Sequence, residues 1–290
     1  MKKVLITGAS GFLGGYLLKQ APPETSILAQ GHTHPVTVSA SNIRKIQLDL
    51  TKADWQLLLD FHPDVIVYTA AMASLAGCQQ NPGRARQVNL EATQKLVEIA
   101  RKNEARFIFT STDIVFDGEK GNYSEKDPAN PINVYGKTKA AAENHILQMY
   151  NNAVVIRTSL LYGISLGGQP TFTQKAIERL QKGERVNAFT DEIRNPLPVG
   201  MLAQAIWELV EHDFTGLLHI GGSEKISRYN MALKICRYFG LPQALINPVS
   251  SEKSGGYVPR PKNCSLNISL AQNVLKTILV DFETGLSLAF

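Results

Sequence analysis

Val4-Leu5-Ile6-Thr7-Gly8-Ala9-Ser10-Gly11-Phe12-Leu13-Gly14 carries an apolar run straight into a glycine-rich turn. Val4 to Thr7 offers apolar side chains to both faces, as a buried parallel strand requires. Gly8, Gly11 and Gly14 then follow a GxxGxxG spacing that opens a helix. Glycine at such a junction permits a tight turn, the approach of backbone to a diphosphate, and close packing of helix on strand, while the helix N-terminus attracts the anion. Gly8, Gly11, Phe12, Leu13 and Gly14 are therefore candidate dinucleotide-binding residues. A plain glycine-rich loop is the competing reading, disfavoured by the position of the turn at the end of the first strand of a βαβ pattern.

Outward from this turn, short apolar runs alternate with longer stretches of helical period. Strands are expected at Val4–Thr7, Ser26–Gln30, Lys45–Leu48, Val65–Thr69, Arg106–Thr110, Ala153–Arg157 and Gly216–Ile220. Helices are expected over Gly11–Gln20, Ala53–Phe61, Gly83–Asn103, Tyr135–Met149 and Leu197–Glu211, with Thr51 and Asp54 giving the second a capping signal. Alternation of this kind predicts right-handed βαβ units and an α/β, doubly wound parallel (Rossmann) sheet of about seven strands. Pro, Gly and Ser rise around Gly163–Thr190 and after Gly222. The expected organisation is a dinucleotide-binding unit of residues 1–160 plus 193–222, and a smaller substrate-binding lobe of 161–192 plus 223–290.

The composition agrees with a globular chain: 290 residues, 44% apolar and 19% charged exclude a disordered protein. Thirty Lys+Arg against 25 Asp+Glu leave +5 without a basic block, so a small anionic ligand is a better partner than nucleic acid. Cys78, Cys236 and Cys264 are odd in number and far apart, which points to a reducing, cytoplasmic setting and to no zinc site. The uncharged stretch from Val4 to Leu18 is interrupted by glycines and too short for a membrane span.

Asp49, followed by Leu50, comes after the third strand and can hold an adenine amino group or cap the next helix. The acid that grips a ribose 2′-hydroxyl belongs after the second strand, but that segment reads Gly31-His32-Thr33-His34. Without a carboxylate there, NADP(H) is favoured and NAD(H) stays open, since no arginine follows immediately either. His32 and His34 lack a third ligand, so no metal is expected.

The fifth strand ends in Thr110-Ser111-Thr112-Asp113, and Tyr135-Gly136-Lys137-Thr138-Lys139 follows. Tyr135 and Lys139 are four apart and share one helix face. A tyrosine with a pKa near 10 is a poor proton donor or acceptor at neutral pH, and an adjacent ammonium favours its phenolate. Thr112 at a strand's carboxyl end can orient the substrate oxygen, and Lys139 can also reach the nicotinamide ribose.

These residues together resemble the extended short-chain dehydrogenase/reductases. Ser111-Thr112-Asp113-Ile114-Val115-Phe116-Asp117-Gly118, with Tyr123, Glu125, Asp127, Pro128 and Asn133-Val134-Tyr135-Gly136, is similar to the dTDP-4-dehydrorhamnose reductases. Thr69-Ala70-Ala71 matches that family's cofactor-lining turn, Val88-Asn89 its helix asparagine, Arg157-Thr158-Ser159 with Tyr162-Gly163 its strand-six exit, and Arg260-Pro261-Lys262-Asn263-Cys264-Ser265-Leu266 its late RPxNSxL segment. The resemblance implies Thr112, Tyr135 and Lys139 as catalytic residues, with Tyr135 protonating the C4 oxygen of a keto-sugar nucleotide as hydride arrives. It also implies a homodimer through the helices at Gly83–Asn103 and Tyr135–Met149.

Met72-Ala73-Ser74-Leu75-Ala76-Gly77-Cys78 departs from the family's acidic segment, and Ile114 and Leu160 stand where aromatics are usual. Substrate-binding candidates are Thr112, Asp113 and Tyr135, with Arg194 and Arg260 for a diphosphate because guanidinium pairs well with phosphate oxygens. A salt bridge is the competing role for each arginine. The expected activity is NAD(P)H-dependent reduction of a nucleotide-linked 4-keto-deoxysugar. The alternatives are a sugar-nucleotide epimerase or a cofactor-binding regulatory subunit like that of methionine adenosyltransferase. A dehydratase is disfavoured because Ile114 replaces the glutamate it needs beside the threonine.

Overall fold

The computed structural model describes residues 1–52, 54–167, 170–251 and 258–290. The chain opens with β1 (Lys2–Thr7), α1 (Phe12–Lys19), β2 (Thr25–Gly31), β3 (Ile43–Gln47), α2 (Gln56–Leu59) and β4 (Val65–Tyr68). It continues through α3 (Leu75–Gln80), α4 (Pro82–Arg86), a π-helical turn (Gln87–Glu91), α5 (Ala92–Lys102), β5 (Arg106–Thr112), α6 (Val134–Met149) and β6 (Ala153–Thr158). Next come β7 (Leu161–Tyr162), α7 (Phe172–Gln181), β8 (Val186–Phe189), β9 (Ile193–Arg194), β10 (Leu197–Pro198), α8 (Val199–Glu211) and β11 (Gly216–Ile220). The last stretch holds β12 (Ile226–Ser227), α9 (Arg228–Tyr238), β13 (Ile246–Val249), α10 (Ser269–Val274) and α11 (Phe282–Ala289).

Seven strands form one sheet in the order β11-β6-β5-β4-β1-β2-β3, all pairs parallel. Successive side chains point to opposite faces, and the apolar runs use both. Val4, Ile6, Ile27, Val67 and Ile108 pack with Leu17, Leu202 and Ile206 of α1 and α8 on one face. Leu5, Leu28, Ile66, Phe107 and Phe109 pack with Leu96, Ile99 and Ile146 of α5 and α6 on the other. Each such aliphatic side chain removed from water contributes about 1.5–3 kcal/mol. The strand order reverses between β1 and β4, and ligands of open parallel sheets bind in the crevice above the strand ends at such a point.

Three helices differ from the sequence expectation. The helix expected over Ala53–Phe61 contracts to Gln56–Leu59, with Ala53 outside the described residues. Thr51 does not cap it, because its hydroxyl is donated to Asp49 at 2.8 Å and receives Arg84, while Asp54 accepts the Gln56 amide. The helix over Gly83–Asn103 carries the π-helical turn in its middle. The helix expected from Leu197 starts at Val199, since Leu197 and Pro198 pair with β7.

The pieces that follow β6 and β11 build a second, smaller core. β8 pairs with β13 and β9 with β12. Ala176, Leu180, Val186, Ala188, Cys236 and Ile246 pack together there. Thr171 and Gln174 form a capping box at the start of α7, and the Ser227 side chain caps α9.

Candidate functional site

The glycine-rich turn forms as its spacing implies. Gly8 has φ +68°, and a Cβ there would lie 2.6 Å from the Ala70 amide nitrogen, so the close approach of the turn to the end of β4 admits only glycine. A Cβ on Gly14 would sit 2.2 Å from the Gly8 carbonyl oxygen, so glycine there lets α1 rest on the turn. Gly11 is the N-cap of α1, with no side-chain cap and no acidic residue in the first turn. The first amides of α1, at Phe12, Leu13 and Gly14, are thus left for an external acceptor, which fits the diphosphate of a dinucleotide. Leu13 also buries its side chain in the core.

Beside this turn lies a cavity of about 330 Å³, lined by Gly8, Gly11, Asp49, Leu50, Ala70 and Ala71, and further by His32, His34 and Arg84. Gln30 supports its floor, accepting the Gly8 amide at 3.0 Å and donating to the Leu48 carbonyl at 2.6 Å. Asp49 does not cap α2. Its carboxylate receives the Thr51 amide and hydroxyl, and Arg84 at 3.0 and 3.2 Å. Partial burial opposes ionisation, yet these hydrogen bonds and the Arg84 charge bring the carboxyl down to about 2.

Thr112, Asp113 and Tyr135 border a second cavity of about 220 Å³ with Ile114, Ser159 and Leu160. Asn133 starts α6 by accepting the Gly136 amide at 2.9 Å, which fixes the first turn carrying Tyr135. Burial pushes the Tyr135 phenol above its ordinary value, against the nearby Thr112 hydroxyl; Asp113, Cys78 and Glu143 push it further the same way. The phenol therefore holds its proton at neutral pH.

Lys139 is only 2% exposed. Its ammonium donates to the Thr110 carbonyl at 2.7 Å and lies 3.8 Å from the Phe109 ring centroid. Burial lowers its pKa from 10.5 to about 7, with Glu143 one turn on opposing the fall. Glu143 is itself buried, receiving Ser111 and paired with Arg157 at 2.8 and 3.0 Å. The sequence leads one to expect an ammonium that draws the tyrosine toward phenolate; among these residues burial is the larger effect on both groups.

Asn89, inside the π-helical turn, joins three elements. Its side chain accepts the Met72 amide at 2.8 Å and donates to Thr138 of α6 at 3.0 Å. It thereby ties the chain after β4 to the helix of Tyr135 and Lys139. π-turns inside helices are frequent at functional sites.

The two arginines expected at a diphosphate are placed very differently. Arg194 is buried, and its guanidinium donates to the carbonyls of Ile193, Lys262 and Pro261 and approaches Asp113 at 3.6 Å. It thus anchors the Arg260–Leu266 segment, and Ser159 completes the network by donating to Asp113 at 2.7 Å. Burial raises the Asp113 pKa while Arg194 and Ser159 oppose it. Arg260 is 40% exposed and contacts Glu192 at 3.4 Å.

Arg228, not singled out by the sequence, faces the same Glu192 at 3.6 Å from the first position of α9. Its Nη1 is buried without a hydrogen-bond partner among the described residues, and burial lowers its pKa to about 10. A cation at a helix N-terminus opposes the helix dipole, and that misfit was the available signal. Glu192, Arg228 and Arg260 also border a third cavity of about 190 Å³, floored by Leu180, Val186, Met231 and Ile235 with Phe172 and Phe189 alongside. The second and third cavities therefore adjoin across one carboxylate and two guanidinium groups.

A family model described as RmlD substrate binding domain matches residues 1–290. Methionine adenosyltransferase 2 subunit beta of Mus musculus is 30% identical over 295 residues, covering 98% of this chain and 86% of that protein. The crystal structure of a hypothetical dTDP-4-dehydrorhamnose reductase from Sulfolobus tokodaii has a TM-score of 0.84 at 34% identity and covers 98% of each chain. That of dTDP-4-dehydrorhamnose reductase from Bacillus anthracis str. Ames in complex with NADP has a TM-score of 0.87 at 26% identity, covering 100% of this chain and 99% of the other.

Proposed function

We propose that this chain, which belongs to the RmlD substrate binding domain family, is an NADP(H)-dependent reductase, with NAD(H) also accepted, acting on the keto group of a nucleotide-linked deoxysugar. The observation that carries the reading is that Thr112 and Tyr135 border a cavity that adjoins a second, apolar one across Arg228 and Arg260. A sugar-sized pocket, a seam whose two guanidinium groups outnumber the Glu192 carboxylate between them, and a pocket with aromatic walls match the sugar, diphosphate and base of a sugar nucleotide in order.

When bound, NADPH supplies a hydride to the carbonyl carbon. Gly8, the first amides of α1, Asp49, Leu50, Ala70 and Ala71 hold it, and Lys139 serves its nicotinamide ribose. Thr112 donates a hydrogen bond to the substrate carbonyl oxygen and polarises it. Tyr135 gives that oxygen the proton which burial keeps on the phenol, and the product is an alcohol. The phenolate left behind takes up a proton before the next turnover, and Lys139 in its charged form, one helical turn on, favours it meanwhile. Arg194 positions Asp113 and the Arg260–Leu266 segment, so the diphosphate falls to Arg228 and Arg260. The reading includes a cytoplasmic homodimer.

The second reading is a binding subunit, which the similarity to methionine adenosyltransferase 2 subunit beta of Mus musculus supports less well than the comparisons together support the reductase. Purified protein should oxidise NADPH with a keto-sugar nucleotide, and Tyr135→Phe should lower that rate at least about 100-fold, the scale of proton transfer by a positioned side chain, while NADPH still binds. No oxidation above blank across such substrates, with a stable partner copurifying, would replace the reductase reading by the subunit reading. Wild-type turnover in Tyr135→Phe would remove Tyr135 as the donor.

A further inference from the structure

The adenosine end of the cofactor cavity holds a cation that no residue near the end of β2 predicts. Arg84 comes from α4, over fifty positions downstream of Gly31, yet it borders the same cavity as His32, Thr33 and His34. Its Nη2 lies 3.0 Å from Asp49 Oδ2, and His32 Nε2 lies 3.6 Å from that same oxygen. A single carboxylate oxygen thus brings the guanidinium beside the residue that directly follows β2, where a ribose 2′-substituent is read. Nη1 donates to the Thr51 hydroxyl. The guanidinium is fixed by three contacts before any ligand arrives, and Nε is not engaged in them.

We propose that Arg84 is the residue that selects a 2′-phosphorylated dinucleotide. Asp49 alone, with an oxygen 3.6 Å from the His32 ring at the end of β2, would repel a 2′-phosphate bound there. Arg84 reverses this twice. It neutralises Asp49, and it presents further N–H donors on a planar group suited to phosphate oxygens. The charge pattern explains how the chain dispenses with an arginine directly after β2: the cation is delivered across the cavity from α4 and aimed by Asp49 and Thr51. His32 and His34 complete the rim facing it.

The assignment rests on the reductase reading for its cofactor, so the test reads binding. Dissociation constants for NADPH and NADH, and for the fragments 2′,5′-ADP and 5′-AMP, are measured by fluorescence titration and calorimetry on wild type, Arg84→Ala and Arg84→Met. The methionine variant keeps the side-chain stem should alanine loosen α4. Loss of a charge-assisted contact to phosphate should weaken NADPH and 2′,5′-ADP roughly 10- to 100-fold. NADH and 5′-AMP should bind as before or more tightly, so that the preference inverts. Equal weakening of all four ligands would show Arg84 to be a support for Asp49 and overturn the proposal, as would no change in any. Wild type that binds neither dinucleotide would overturn the reductase reading itself, together with this assignment.

Discussion

Replacing Lys139 with methionine separates what the buried ammonium costs the fold from what it does in the site. Burial lowers its pKa from 10.5 to about 7, and each tenfold change in proton affinity corresponds to about 1.4 kcal/mol. The folded protein therefore carries a penalty on the order of 5 kcal/mol whenever the amine is protonated in both states. Because the folded value is the lower one, the unfolded chain binds more protons between about pH 7 and 10.5. Stability must then rise with pH across that window, and the penalty is fully present below about pH 7. Methionine keeps the stem against Phe109 but gives up the 2.7 Å bond to the Thr110 carbonyl, a loss of about 1–3 kcal/mol. Urea unfolding should find Lys139→Met more stable than wild type by about 2–4 kcal/mol near pH 6, and less stable by up to about 2 kcal/mol near pH 10. The sign change is the readout, since other groups titrate alike in both proteins. Two stability curves running parallel over the whole range would refute the reasoning.

Two further substitutions probe neighbouring features. Glu143→Gln leaves Arg157 buried without its counter-charge, which should cost about 3–5 kcal/mol and lower the melting temperature by about 6–12 °C; a calorimetric shift under about 2 °C would show the pair to be dispensable. Gly8→Ala forces a side chain into a φ of +68° and to within 2.6 Å of the Ala70 amide. It should destabilise by more than about 1–2 kcal/mol and weaken NADPH in titration; wild-type stability and affinity would contradict the close packing of turn and β4.

The sheet was legible because its strands carry apolar residues on consecutive positions, and Leu5 and Ile6 go to opposite cores as parallel strands require. Tyr135 and Lys139 were legible because four residues on a helix return to one face. Arg194 looked equally suited to phosphate, but which acceptors reach a guanidinium depends on carbonyls 68 and 67 positions away in sequence. Arg84 was hidden for the complementary reason: it belongs to a helix whose local pattern says nothing of the cavity it borders, whereas Arg228 left only the mark of a cation at a helix N-terminus. The helix expected around Leu58 shrank because Thr51 and Asp49 made contacts with Arg84 rather than with a first helical turn.

The π-helical turn at Gln87–Glu91 sets the rotational phase between two halves of one continuous helical stretch. An α-helix advances about 100° per residue, so the wider turn rotates everything after it relative to everything before it. Upstream, Arg84 faces the cofactor cavity; downstream, Leu96, Val97 and Ala100 face the core. Deleting one residue from the turn would restore a regular helix and yet make those two orientations incompatible, since the core would keep its grip on α5 and swing Arg84 away from Asp49. Chain length in this five-residue window is therefore under a stricter constraint than the exposed side chains of Gln87 and Glu91 are.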